Sequence, residues 1–150
     1  MNDYQTILFP TDGSDSSNRA IEYGLDRIVE PETVVHVLYV VRPFQSLLHD
    51  PQSSEQRSAL ERTEVDLQEA AEVAIEEFVD RVQRKDETGI EIEHAIRHGI
   101  IPEEIVQYAA DQDVELIVMG RSGHTVLDRF TLGSVTERVL RAIGTPVLVI

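Results

Sequence analysis

VELIVMGRSGHTVLDRFTLGSVTERVL, residues 114–140, changes character twice. Its first six residues are almost wholly apolar, as in a strand covered on both faces. Gly120 ends that run, and three of the chain's eight glycines (Gly120, Gly123 and Gly133) then fall within fourteen positions. Ser134 follows, and an amphipathic pattern begins that predicts a helix over Ser134–Ala142. A buried strand, a glycine-rich connection and an amphipathic helix make up a unit of alternating β and α structure.

The flanking sequence repeats that alternation. Tyr4–Phe9 is short, apolar and β-branched, a buried strand. PTDGSDSSN follows as a turn with several candidate N-caps, and Ala20, Ile21, Leu25, Ile28 and Val29 then recur at helical spacing. Thr33–Val41 is almost continuously apolar, suiting a central strand in which His36 is a core or strand-end residue. Residues 42–58 form a long polar connection, long enough for a flap. Ala59–Arg84 reads as one long helix with an acidic, solvated face. In GIEIEHAIRHG the alternation is strict, predicting a strand with one wet face near a sheet edge. Pro102, Glu103 and Glu104 mark the start of the next helix, and Gly144–Ile150 carries a last strand. The order β-α-β-α-β-α-β-α-β predicts an α/β domain over residues 1–150, a five-stranded parallel sheet wound with helices on both faces.

Composition narrows the function. Asp and Glu number 28 against 13 Lys and Arg, a net charge of -15, and Lys85 is the sole lysine. Such a chain is a poor nucleic-acid binder, which needs a positive surface. The excess acid serves solubility or, more sharply, life in molar salt, where self-repulsion is screened. With no cysteine, disulfides and thiolate sites are excluded. The opening MNDYQTILFP lacks the basic start and apolar stretch of a secretory signal, and no apolar run is long enough to span a membrane. A cytoplasmic protein is the expectation. The charge is uneven: residues 120–150 hold four arginines and two acids, net +2. A polyanion would be favoured there and repelled elsewhere.

In an open parallel sheet, ligands bind beyond the carboxyl ends of the strands, where strand order reverses. Gly120 and Gly123 can take positive φ and let a ligand approach the backbone. Gly133-Ser134 opens a helix whose first N–H groups lack partners and whose dipole end is positive. Together these form a phosphate cradle, with the residues between Gly123 and Gly133 as an enclosing loop. Asp12, an anion, suits ribose hydroxyls or a base amino group; alternatively Asp12, Ser14 and Ser16 merely cap the first helix.

On these residues the chain resembles the universal stress proteins. Their nucleotide-binding members carry G-x2-G-x9-G-[S/T] after the fourth strand, and Gly120, Gly123 and Gly133-Ser134 fit that spacing without a gap. ILFPTDGSDSSNRAI, HVLYV, GIIPEEIV, LIVMGRSG and TPVLVI resemble the family's first strand and turn, second strand, third-helix start and last two strands, so the likeness runs along the whole chain. It implies a Rossmann-like doubly wound sheet of strand order 3-2-1-4-5, binding ATP, ADP or AMP, with Mg2+ or Mn2+ carried by the phosphates. In that reading the Pro10-Thr11-Asp12 turn meets the adenosine end and the backbone of Val37 bonds the adenine edge. Gly120, Gly123, Gly133 and Ser134 hold ribose and phosphates, helped by the backbones of Met119 and Val135. Arg121 stands where small or polar residues are more usual, and either reaches a phosphate or points outward. The resemblance also implies a homodimer through the last strand and a stress-regulatory role with an unspecified protein partner.

His94 and His98 lie four apart, but on a strand that is roughly 13 Å, too far to share an ion. GxxxxGK[ST] is absent, which excludes a P-loop ATPase. Binding is therefore favoured over turnover. A slow ATPase or nucleotide-transferring enzyme, and an interaction module with a vestigial site, are the alternatives.

Overall fold

Strand β1 (Thr6–Thr11) lies at the centre of the sheet and pairs in parallel with β2 (Val34–Val41) on one side and β4 (Leu116–Met119) on the other. Beyond them lie β3 (Glu91–His98) and β5 (Val147–Val149), giving the order β3-β2-β1-β4-β5, all parallel. Helices α1 (Asp15–Arg27), α2 (Ser54–Lys85), α3 (Ile101–Asp111) and α4 (Ser134–Ala142) make the crossovers. The computed structural model describes residues 3–43, 54–85, 89–122 and 132–150. The doubly wound topology is the expected one, and β3 lies at an edge, as its alternation predicts.

Two cores follow from the period-two alternation of buried strands. On one face Ile7, Phe9, Val35, Val37 and Val118 pack with Ala20 and Ile21 of α1 and Ile75, Phe78 and Val82 of α2. The Phe9 and Phe78 rings meet at 5.6 Å. On the other face Leu8, Leu38, Val40, Ile117 and Met119 pack with Ile105, Tyr108 and Ala109 of α3 and Val139 of α4. His36 belongs to this second layer, only 5% exposed. Its Nδ1 lies 2.9 Å from the Tyr108 hydroxyl.

Several boundaries differ from the sequence expectation, and two elements run markedly longer at one end. β1 continues past Phe9 through Pro10 and Thr11. α2 begins at Ser54, so residues 54–58 of the expected connection are helical; its residues 44–53 lie outside the described residues. No described helix is long and apolar enough to cross a membrane.

Candidate functional site

The β1–β4 ladder stops at Leu8↔Ile117, whereas β1–β2 pairing runs on to Thr11↔Tyr39. Pro10 has no N–H with which to extend the first ladder. The sheet therefore opens between β1 and β4, the point where strand order reverses. A cleft of about 500 Å³ lies there, a size usual for small-molecule sites.

The cleft gathers most of the residues singled out in the sequence. Pro10, Thr11, Asp12, Met119, Gly120, Gly133, Ser134 and Val135 all line it. Val37 does not: it sits mid-β2 opposite Phe9 and His94, with its side chain buried in the α1–α2 core. Nor is the Arg121 side chain part of the lining. Gly123 and all of the 124–132 loop except Leu132 lie outside the described residues.

Sequence reasoning missed the apolar wall, Leu38 and Val40 from β2 with Ile101 and Ile105 from α3. Strand parity carried the signal, because Leu38 and Val40 must face opposite to Val37.

The turn after β1 is a hydrogen-bonded device. Asp12 Oδ1 accepts from the Ser14 N–H at 2.9 Å and from the Ser17 hydroxyl at 2.7 Å. Ser14 is the N-cap of α1, its side chain accepting from the Ser17 N–H. Helix capping thus falls to Ser14, while Asp12 fixes the turn and still lines the cleft.

Ser16 takes a third part. Its hydroxyl oxygen accepts from the Ser122 N–H at 3.2 Å. A Cβ on Gly120 would stand 2.8 Å from the Ser16 carbonyl carbon and oxygen. Gly120 is therefore required by the approach of α1, and its φ is not in the left-handed region, contrary to the sequence expectation. Among the described residues of this region, Gly13 takes positive φ, at 76°.

α4 begins differently. Its N-cap, Gly133, has φ -62° and ψ 151° and supplies no side-chain cap. Any residue can adopt those angles, so the missing side chain is what distinguishes this position. Among the described residues no side chain caps the first-turn N–H groups of Ser134, Val135 and Thr136.

Backbone ties hold the two ends of the glycine segment together. The Gly133 N–H donates to the Arg121 carbonyl at 2.7 Å, and the Arg121 N–H to the Ile150 carbonyl at 3.0 Å. The Thr136 hydroxyl donates to the Gly120 carbonyl at 2.9 Å.

Charge is distributed otherwise than the sequence count suggests. Arg138 reaches Glu103 at 3.8 Å and Arg141 reaches Glu137 at 2.7 Å, both on the surface. The described cleft lining contains two carboxylates, Asp12 and Glu137, and no Lys or Arg. His98 Nε2 lies 3.1 Å from Gln68 Oε1 of α2. Among the described residues no group of three or more His, Asp or Glu could hold a metal ion.

Behind the cleft, burial lowers the His36 pKa from its ordinary value, against the opposing pull of Glu93 and Glu91. Burial likewise raises that of Tyr108, Glu93 adding to the rise and Arg97 opposing it. Arg97 lies over the Tyr108 ring, 4.8 Å from its centroid, and pairs with Asp111 at 3.0 Å.

The profile of the universal stress protein family matches residues 3–150. Universal stress protein MJ0531 of Methanocaldococcus jannaschii is 36% identical, over 98% of this chain and 82% of that protein. MJ0577 of the same organism is 30% identical over 98% of this chain and 94% of its own. Its solved structure superposes with a TM-score of 0.79, at 29% identity over 98% of this chain and 95% of that one. UspA of Lactobacillus plantarum gives a TM-score of 0.76 at 26% identity, over 98% and 97%.

Proposed function

The chain belongs to the universal stress protein family, and on that premise we propose that its cleft binds an adenine nucleotide, ATP or its products ADP and AMP, as a regulatory ligand. One observation carries this reading: the end of β1, the end of β4 and the uncapped start of α4 converge on a single cleft at the switch point. The apolar wall of Leu38, Val40, Ile101 and Ile105 suits a base. Thr11 and Asp12 suit ribose hydroxyls, and the α4 N-terminus with Ser134 suits phosphate. Gly123 keeps the role the family resemblance gives it, whereas Val37 is paired in register between Phe9 and His94 inside the sheet, and its adenine-edge role is not carried over. A divalent cation, Mg2+ or Mn2+, would enter carried by the phosphates, and among the described residues the lining offers two carboxylates and no Lys or Arg. When bound it would neutralise phosphate charge, beside Glu137 on the α4 side.

The ligand is held rather than rapidly turned over. Asp12 is engaged by Ser14 and Ser17, and Glu137 by Arg141, so neither acid is set to activate water. The protein acts in the cytoplasm as a homodimer joined through the open edge of β5, and the nucleotide state governs an unspecified protein partner. The acidic surface is an adaptation to molar salt.

The deciding experiment denatures protein purified in molar KCl and chromatographs the released small molecules against adenine-nucleotide standards. Stoichiometric ATP supports binding without fast turnover. ADP or AMP alone, with phosphate release abolished in Asp12→Ala, would favour a slow ATPase. No released nucleotide, and no calorimetric saturation with ATP, ADP or AMP, overturns the reading.

A further inference from the structure

The His36–Tyr108 pair spans the two elements that make the apolar wall of the cleft. His36 stands two residues before Leu38 on the same face of β2. Tyr108 stands one helical turn beyond Ile105 on α3. Their contact joins the back of the floor to the back of the wall, both rings buried and nearly edge to face, with centroids 5.7 Å apart. Movement of α3 away from β2 at this point would widen the cleft between Leu38 and Ile105.

We propose that the His36–Tyr108 pair is a positioning device that couples nucleotide affinity to pH, α3 being seated against β2 only while His36 is neutral. This rests on the nucleotide reading of the cleft. The surroundings of the imidazole set the direction. From β3, Glu93 stands opposite His36 in register and Glu91 lies two residues away. Both favour a charged ring. From α3, Tyr108 faces it directly, and Arg97 of β3 lies over the Tyr108 ring, 4.8 Å from its centroid. Arg97 is held there by Asp111 at 3.0 Å and Glu104 at 3.9 Å, from opposite ends of α3. From β1, Leu8 offers only an apolar neighbour. A proton on His36 thus creates a cation in a nearly water-free layer, with the Arg97 guanidinium over the same tyrosine. Burial outweighs the two glutamates, so the neutral ring is the one that fits the closed layer. Protonation is accommodated by letting water in between β2 and α3, which moves Ile105 and Ile101 off the base.

The test measures ATP affinity calorimetrically in molar KCl and excess Mg2+ between pH 7.5 and 5.5, for the native protein and for His36→Gln. Gln keeps a hydrogen-bonding partner for Tyr108 without titrating. The native protein is expected to lose affinity on acidification by about threefold to tenfold more than His36→Gln, since linkage allows up to about tenfold per pH unit. The part of the slope shared by both proteins belongs to groups other than His36. Should His36→Gln fail to fold, the native protein answers alone. Saturating ATP must lower the titration midpoint of the His36 imidazole in NMR, because coupling is reciprocal. Parallel slopes, or a His36 midpoint unmoved by ATP, overturn the proposal while leaving the nucleotide reading intact. Absence of binding by ATP, ADP and AMP at every pH overturns that reading and the proposal with it.

Discussion

At the scale of single residues, close packing assigns roles that composition does not. Gly120 faces the Ser16 backbone at a distance no real Cβ tolerates. Gly120→Ala should therefore cost about 1–3 kcal/mol through displacement of α1, measured by urea unfolding of the ligand-free protein. An unchanged midpoint would show that α1 yields freely. His36 gives a second residue-scale expectation. Its folded pKa lies below the ordinary 6.5, so the unfolded chain takes up the proton first as pH falls. Its stability contribution is thus fully present above about pH 6.5 and is lost on acidification. His36→Gln should show a flatter stability profile between pH 6.5 and 5 than the native protein.

At the scale of elements, the start of α4 sets helix stability against ligand binding. Gly133→Asp would supply the missing cap and place an anion at the positive helix end. Ligand-free stability should rise by up to about 1 kcal/mol. The same carboxylate occupies the N–H groups a phosphate needs, so the ATP-induced rise in melting temperature should vanish. A variant that still shifts with ATP would place the phosphates elsewhere.

Much of this level was legible beforehand. Gly133-Ser134 followed by helical spacing gave α4 its observed bounds, because both signals are local. The end of β1 was not legible. Proline in a run of strand residues reads as a turn, and only the early stop of the β4 ladder makes Pro10 tolerable inside the sheet. The cleft wall was missed for a similar reason. Leu38 and Val40 are ordinary strand residues until α3 is known to lie over them. The role of Gly120 depends on Ser16, far away in sequence, which no local pattern reveals.

At the scale of the whole molecule, the net charge of -15 dominates. Ion pairs such as Lys85–Asp26 and Arg81–Glu22 tie α2 to α1, but they are exposed and contribute little. Repulsion among the remaining acids is long-ranged at low salt. The Debye length falls from about 10 Å at 0.1 M to about 3 Å at 1 M, so thermal stability should climb steeply with KCl over that range. Calorimetry in KCl and in an osmotically matched sugar separates screening from general exclusion. A flat salt response would reduce the acidic surface to a solubility device.

The contact between Gly120 and Ser16 also bears on how the family's glycine signature can be read across lineages. Drift at position 120 is blocked by the neighbouring helix, whether or not a nucleotide is ever bound. Position 133 is the N-cap of α4, at backbone angles any residue can adopt. A descendant that abandoned the ligand would therefore keep the first glycine and shed the last. Surveys for binding-competent relatives should accordingly weigh the Gly133-Ser134 pair and discount Gly120 as a fossil of the fold.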